Sequence, residues 1–215
     1  MKLLLTRPEH DVTTRYLSCW AKEIIVFAKK KGVSVFDLSR EKANREEFVG
    51  RLKKISPEVV FLNGHGSDTA VAGHDDEVLV ETEDNEDVLA EKITYALSCN
   101  SGKVLGQKVT KNKNTTYIGY SDGFIFVGDR NYLSRPTEDP KARPFMESSN
   151  QVMISLLKGH SAKDASKRSK NAFKERYTAL LASTSDQDSL QAAQCLRWNM
   201  NHQVCLGDGQ AKLGI

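Results

Sequence analysis

Short apolar segments alternate with amphipathic helical patterns through the first 126 residues, and this alternation constrains the fold more than any other feature. The apolar segments have strand length, whereas the stretches between them repeat apolar residues at the helical period. Strands are predicted over residues 2–6, 33–38, 58–63, 92–98 and 115–120, and helices over 12–31, 39–55 and 102–111. Strands separated by helices pair in parallel through right-handed crossovers, so the sequence predicts a mostly parallel sheet between two helical layers.

Two smaller features lie beside these main elements. Residues 69–73 and 77–82 are short β-like runs around His74, Asp75 and Asp76, which predicts a hairpin with those three residues at its tip. A short helix is expected in the acidic stretch 83–91, and residues 124–127 are compatible with one more strand.

The character of the sequence changes after Gly128. Residues 130–144 are loop-like and contain three prolines, and helical patterns follow at 145–157, 161–183 and 186–199. We therefore expect an α/β core over residues 1–128, and a loop and helical extension over 129–215 that packs on this core.

Two residues that carry chemistry follow neighbouring elements of the predicted sheet. His65 comes just after the third strand, and Cys99 comes directly after the fourth. In open parallel sheets, ligand sites form in the crevice outside the carboxyl ends of the strands. Adjacent strands lie about 5 Å apart, so neighbouring strands would bring His65 and Cys99 to the two sides of one substrate bond.

This pair suits nucleophilic catalysis. A thiol becomes a competent nucleophile near neutral pH when an imidazole lies close to it. Gly64 and Gly66 flank His65 and allow close approach of a substrate backbone. The amides of Gly66 and Cys99 are candidate oxyanion donors, and the helix predicted from Gly102 would favour the thiolate through its dipole.

The two segments resemble a known group of enzymes. Residues 59–66, Val-Val-Phe-Leu-Asn-Gly-His-Gly, resemble the apolar strand and His-Gly motif of the caspase-like superfamily. Residues 93–102, Ile-Thr-Tyr-Ala-Leu-Ser-Cys-Asn-Ser-Gly, are similar to its strand that ends in the nucleophilic Cys. The resemblance covers about residues 2–127. It implies a three-layer α/β/α caspase-like fold and a His65–Cys99 dyad that cleaves peptide bonds without a cofactor.

The departures from the group bear on specificity. The Gln-Ala-Cys-Arg-Gly motif of caspases is absent, so specificity for aspartate is not supported, and the bacterial CHAT-type peptidases are the closer likeness. In the gingipain and clostripain types an acidic pocket binds arginine or lysine, and Asp122 is the candidate for such a pocket. The Ser-Asp-Gly sequence favours an ordinary turn residue at Asp122 over this pocket role. Asp68 is a second candidate, either to orient His65 or to contact substrate, although its position favours an ordinary loop residue.

Composition adds expectations about setting and partners. The formal charge is +3, and basic residues cluster between 158 and 176, a pattern more typical of a solvated helix face than of a nucleic-acid interface. The apolar start ends at once in charge without a cleavage signal, so we expect a cytoplasmic protein with reduced thiols and no membrane partner. His65, His74, Asp75 and Cys99 match no zinc spacing, and no metal or cofactor is expected.

The sequence thus predicts a cysteine endopeptidase that acts through a thioester acyl-enzyme, in a bacterial regulatory or defence system. The expected partners are a protein or peptide substrate and an activating or sensor protein. Two alternatives remain open: a catalytically inactive caspase-like interaction module, and a flavodoxin-like nucleotide-binding protein.

Overall fold

The computed structural model describes residues 1–183 and 187–214. For Ser183 it describes the backbone and not the side chain. Its strands are β1 (Lys2–Arg7), β2 (Ser34–Ser39), β3 (Val59–Asn63), β4 (Ala70–Ala72), β5 (Val78–Glu81), β6 (Ile93–Leu97), β7 (Thr116–Tyr120) and β8 (Gln203–Gly207). Six of them form one sheet in the order β2-β1-β3-β6-β7-β8, in which the edge strand β8 runs antiparallel to β7 and every other pair is parallel. The expected parallel sheet is therefore confirmed.

Helices cover both faces of this sheet. They are α1 (Val12–Lys30), α2 (Arg45–Ile55), α3 (Leu105–Val109), α4 (Arg143–Leu156), α5 (Ala162–Ser183) and α6 (Gln187–His202). On β3, Val59 and Phe61 belong to the core beneath α1 and α4, whereas Val60 and Leu62 belong to the core beneath α2 and α3. Successive side chains of a strand point to opposite faces, so a strand buried on both sides must be apolar throughout. This is the expected three-layer α/β/α arrangement.

Two of the predicted helices, α2 and α3, are shorter than expected. The helix predicted over 39–55 begins only at Arg45, because Arg40 has a positive φ of 53° and the Asn44 side chain caps the Glu47 amide. The helix predicted over 102–111 is restricted to Leu105–Val109. Residues 124–127 form no strand.

The helical extension also contributes to the sheet. The predicted helix over 186–199 begins at a residue outside the described part of the chain, and α6 continues to His202. The chain then forms β8, which the sequence did not predict, with Gln203 paired to Tyr120. The division into 1–128 and 129–215 stays a prediction, to which the structure adds that residues beyond 128 supply an edge strand of the same sheet.

A buried carboxylate anchors the loop between β7 and α4. Asp139 is fully buried; it accepts hydrogen bonds from the Tyr16 hydroxyl at 2.7 Å and from the amides of Asp129, Lys141 and Ala142. These contacts tie the loop to α1, and they hold the pKa of Asp139 below its usual value despite the opposing effect of burial.

None of the helices in the described residues combines the length and the apolar character needed to cross a bilayer.

Candidate active site

The register of β3 and β6 places His65 and Cys99 at the same edge of the sheet. Asn63 pairs with Leu97 at the carboxyl ends of these two parallel strands. His65 lies two residues beyond Asn63, and Cys99 lies two residues beyond Leu97. Parallel neighbours are separated by about 4.8 Å, so the two residues leave the sheet side by side.

Two glycines allow this close arrangement. Gly64 has a φ of +150°, and a Cβ there would lie 2.1 Å from the carbonyl oxygen of Ala72 in the β4–β5 hairpin. A Cβ at Gly66 would lie 2.5 Å from the Cys99 carbonyl oxygen and 2.8 Å from the Ser98 hydroxyl. Real Cβ atoms do not approach this closely, so both positions require glycine if the hairpin and the Cys99 turn are to keep their places.

Asp11 contacts His65, and the sequence did not predict this contact. The Oδ2 atom of Asp11 lies 2.6 Å from Nε2 of His65. The other oxygen, Oδ1, caps α1 by accepting a hydrogen bond from the Thr14 amide at 2.7 Å and another from the Thr14 hydroxyl at 2.8 Å. One carboxylate therefore holds both the start of a helix and the ring of the histidine.

The electrostatics of Asp11 fix the proton on His65. Burial opposes ionisation of this carboxyl, but the hydrogen bonds from Thr14 and His65 outweigh it and lower the pKa of Asp11 to about 2. An ionised carboxylate only accepts, so Nε2 of His65 carries its hydrogen toward Asp11. In the neutral ring the lone pair is then on Nδ1, which is the state that a general base requires.

Cys99 lies in a tight turn, not at the start of a helix. Asn100 has a positive φ of 60°, and the Ser98 hydroxyl donates to the Ser101 hydroxyl at 2.8 Å inside the turn. The helix α3 begins at Leu105 and has five residues, so the expected stabilisation of the thiolate by a helix dipole is wrong.

The thiol contacts the loop that follows β7. Cys99 Sγ donates to the carbonyl oxygen of Phe124 at 3.9 Å, and within the described residues it makes no hydrogen bond to His65. The same loop is fixed by α6, because Asn199 bonds both the amide (2.9 Å) and the carbonyl (2.7 Å) of Ile125. The thiol of Cys99 therefore lies against a loop that the helical extension holds in place.

Two backbone amides in the loops that carry His65 and Cys99 are not used in hydrogen bonds between described residues. In the described part of the chain, neither the Gly66 N–H nor the Cys99 N–H has a hydrogen-bond acceptor. Gly66 forms an antiparallel bridge with Val71 in which the neighbouring residues make the hydrogen bonds, so its own N–H points away from the hairpin. Unpaired amides beside a nucleophile are what an oxyanion site requires.

The two acidic candidates have local partners. The Asp68 carboxylate pairs with Lys103 Nζ at 2.8 Å, and its carbonyl accepts the amides of Val104 and Leu105. His65 is oriented by Asp11 and not by Asp68. Asp122 accepts the Gly123 amide at 2.7 Å through Oδ1, and its carbonyl accepts the Asn100 amide at 3.1 Å. The backbone of Asp122 therefore contacts the residue that follows Cys99, and the role of Asp122 in binding substrate stays a prediction.

Two of the other thiols are less acidic than an ordinary cysteine. Burial raises the pKa of Cys195. It also raises the pKa of Cys205 to about 11, despite the opposing effect of Lys170 and Lys163. Because the thiolate is the nucleophilic form, burial makes these two thiols less reactive than an ordinary cysteine.

One signal in the sequence could have indicated Asp11. It follows β1, the neighbour of β3, and it begins a helix, so it leaves the sheet at the same edge as His65. Asn199 carries no such signal, because its contact with Ile125 joins residues 74 positions apart.

Comparison of the sequence with protein-family models and with curated proteins finds no match. The structure is similar to the complex of the Porphyromonas gingivalis RgpB pro- and mature domains, with a TM-score of 0.58 and 11% sequence identity. The similarity covers 98% of this chain and 47% of that one, so this chain spans less than half its length. The fold is caspase-like, as the sequence predicted. This similarity concerns the fold alone, and it does not support the expected closeness to the CHAT branch.

Proposed function

We propose that this chain is a cysteine endopeptidase in which Cys99 is the nucleophile, His65 the general base and Asp11 the positioning residue. The observation that carries the proposal is the placement of His65 and Cys99 at matching positions beyond paired strands, with a carboxylate hydrogen-bonded to the imidazole. A caspase-like fold supports a peptidase, and the arrangement of these side chains indicates which groups would perform the reaction.

The proposed reaction has two stages, acylation of Cys99 and hydrolysis of the thioester. His65 accepts the Cys99 proton, and the thiolate attacks the carbonyl carbon of the scissile bond, with the amides of Gly66 and Cys99 donating to the oxyanion. The C–N bond breaks as His65 returns the proton to the leaving amine. Water, deprotonated by His65, then attacks the thioester and releases the new carboxylate and the free thiol.

A peptidyl acyloxymethyl-ketone probe tests this proposal. We expect labelling of the wild type that disappears in Cys99→Ala and in His65→Ala. Cys19→Ala and His160→Ala are the matched controls, because they remove the same groups outside the site, and both should be labelled like the wild type. Labelling that survives His65→Ala, or that is spread over several cysteines, would favour an inactive interaction module instead.

We further propose that Asp122 provides the negative charge of the substrate pocket and that the preferred residue before the scissile bond is arginine or lysine. A peptide-library profile should show this preference in the wild type. In Asp122→Asn the side-chain oxygen still accepts the Gly123 amide, so the loop keeps its anchor while the charge is lost. An unchanged preference in this variant would remove Asp122 from the pocket.

The bacterial origin, the cytoplasmic location and an activating partner remain part of the same proposal.

A further inference from the structure

We propose that His10, His65 and Asp76 form a binding site for a divalent transition-metal ion of the zinc class. The three residues come from three separate segments: His10 from the loop after β1, His65 from the loop after β3, and Asp76 from the tip of the β4–β5 hairpin. One potential ligand atom from each lies within 4.8 Å of the other two.

The spacing is close to that of a formed site. Ligands bound at about 2.1 Å around a tetrahedral ion stand roughly 3.4 Å apart. Starting from separations of up to 4.8 Å, small side-chain rotations suffice to bring the three atoms around one ion. His10 and Asp76 are already near contact, with Nε2 of His10 lying 3.3 Å from Oδ1 of Asp76.

His10 supplies an independent reason to expect a ligand. Its side chain is only 12% exposed. Both ring nitrogens are shielded from solvent, and within the described residues neither makes a hydrogen bond. Nε2 has only the Asp76 carboxylate at 3.3 Å without hydrogen-bond geometry, and Nδ1 has no hydrogen-bond partner among the described residues. Buried polar atoms in proteins nearly always make hydrogen bonds, and histidine is the commonest metal ligand, so a bound ion would satisfy this ring. The His10 ring packs edge-on between the rings of His65 (5.8 Å) and His74 (5.4 Å).

The hairpin tip is held firmly over His10. The amide of His74 donates to the Ala43 carbonyl at 2.8 Å, and the amide of Gly73 donates to the Glu77 carbonyl at 2.8 Å. The carboxylate of Glu77 in turn accepts the Arg45 amide at 3.0 Å. The Asp76 side chain is 67% exposed, which leaves an open path for an ion to reach the cluster from solvent.

The donor set favours borderline transition metals over calcium or magnesium. Two imidazoles and one carboxylate suit zinc, nickel or copper, and three protein ligands leave one position for water. A metal-binding histidine usually donates the N–H of its other ring nitrogen to a carboxylate, which orients the ring. Asp11 is hydrogen-bonded to His65 and can serve as that carboxylate.

Occupation of the site withdraws His65 from catalysis. Coordination through one ring nitrogen removes the lone pair that accepts the thiol proton, and coordination through the other displaces Asp11. Metal binding itself does not depend on the peptidase activity, whereas its inhibitory effect rests on the function proposed above. A bound ion would therefore inhibit the peptidase by occupying His65, and a chelator that removes the ion would restore the activity.

Competition for Zn²⁺ with a chromophoric chelator measures binding without any assay of activity. We expect one ion per chain, with affinity about tenfold weaker or more in His10→Gln and in Asp76→Asn. Asp75→Asn is the matched control, because Asp75 lies beside Asp76, also has a positive φ, and has an 81% exposed side chain. Its affinity should stay within about twofold of the wild type. Equal weakening in Asp75→Asn and Asp76→Asn, or no stoichiometric binding by the wild type, would overturn the proposal.

The second measurement is labelling of Cys99 by the acyloxymethyl-ketone probe with and without Zn²⁺. We expect Zn²⁺ to suppress labelling of the wild type, a chelator to restore it, and Asp76→Asn to need about tenfold more Zn²⁺ for the same effect. Suppression that is identical in Asp76→Asn would place the inhibitory ion elsewhere. If the wild type binds Zn²⁺ but is never labelled, the proposed function fails while the metal site stands.

Discussion

Replacing Asp11 by asparagine separates its two roles. Asparagine caps a helix as well as aspartate does, so its oxygen keeps the bond to the Thr14 amide. Its NH₂ group then faces Nε2 of His65 in place of the carboxylate oxygen. An amide N–H donates, so Nε2 must accept and the ring proton moves to Nδ1. The lone pair needed for the Cys99 proton is lost, and we expect kcat/KM for peptide cleavage to fall about 10²- to 10⁴-fold.

The cost to stability should be much smaller. Lowering the pKa of Asp11 from 3.8 to about 2 corresponds to at most about 2.5 kcal/mol of stabilisation. The side chain is 41% exposed, so solvent screening reduces this to about 1 kcal/mol. Because the folded state depresses the pKa, the contribution is complete above pH 3.8 and is lost as the pH falls toward 2.

Two measurements on the same variants test this reasoning. Cleavage of a fluorogenic peptide near pH 7 gives the loss of kcat/KM. Urea unfolding at a series of pH values gives the stability difference between wild type and Asp11→Asn, which should shrink on acidification. Asp11→Ala loses the cap as well and should cost about 1 kcal/mol more. Wild-type turnover by Asp11→Asn, or a stability difference that grows as the pH falls, would refute the assignment.

Three further predictions concern the frame of the site. Gly66→Ala should lower probe labelling at least about 100-fold while the chain stays folded, because the added methyl overlaps the Cys99 carbonyl. Asn199→Ala leaves the amide and carbonyl of Ile125 unpaired; it should cost about 2 kcal/mol in urea unfolding and raise KM more than it lowers kcat. Asp139→Ala leaves three amides and the Tyr16 hydroxyl without their acceptor, so the free energy of unfolding should fall by about 3 kcal/mol or more. An effect below about 1 kcal/mol would contradict the role of Asp139 as the loop anchor.

The sequence alone was sufficient for the central sheet. Each buried strand is a short apolar run, each crossover is a helical repeat, and these patterns are local in the chain. Because parallel strands end at one edge, the positions of His65 and Cys99 after their strands already placed them together. The hairpin tip at His74–Asp76 is where the turn residues predicted it.

Tertiary structure decided what surrounds this pair. Asp11 reaches His65 across 54 positions of the chain, and β8 completes the sheet from beyond residue 200. The helix after Cys99 was overestimated because residues 100–104 have turn conformations that the helical period does not reveal. His10 and Asp76 join His65 only because the first loop and the hairpin meet over the end of β3. These contacts join residues that are far apart in the chain, so they depend on how the loops and the hairpin pack against one another. The sequence by itself therefore determined the sheet and the edge at which His65 and Cys99 lie, and only the folded chain decided the partners of His65.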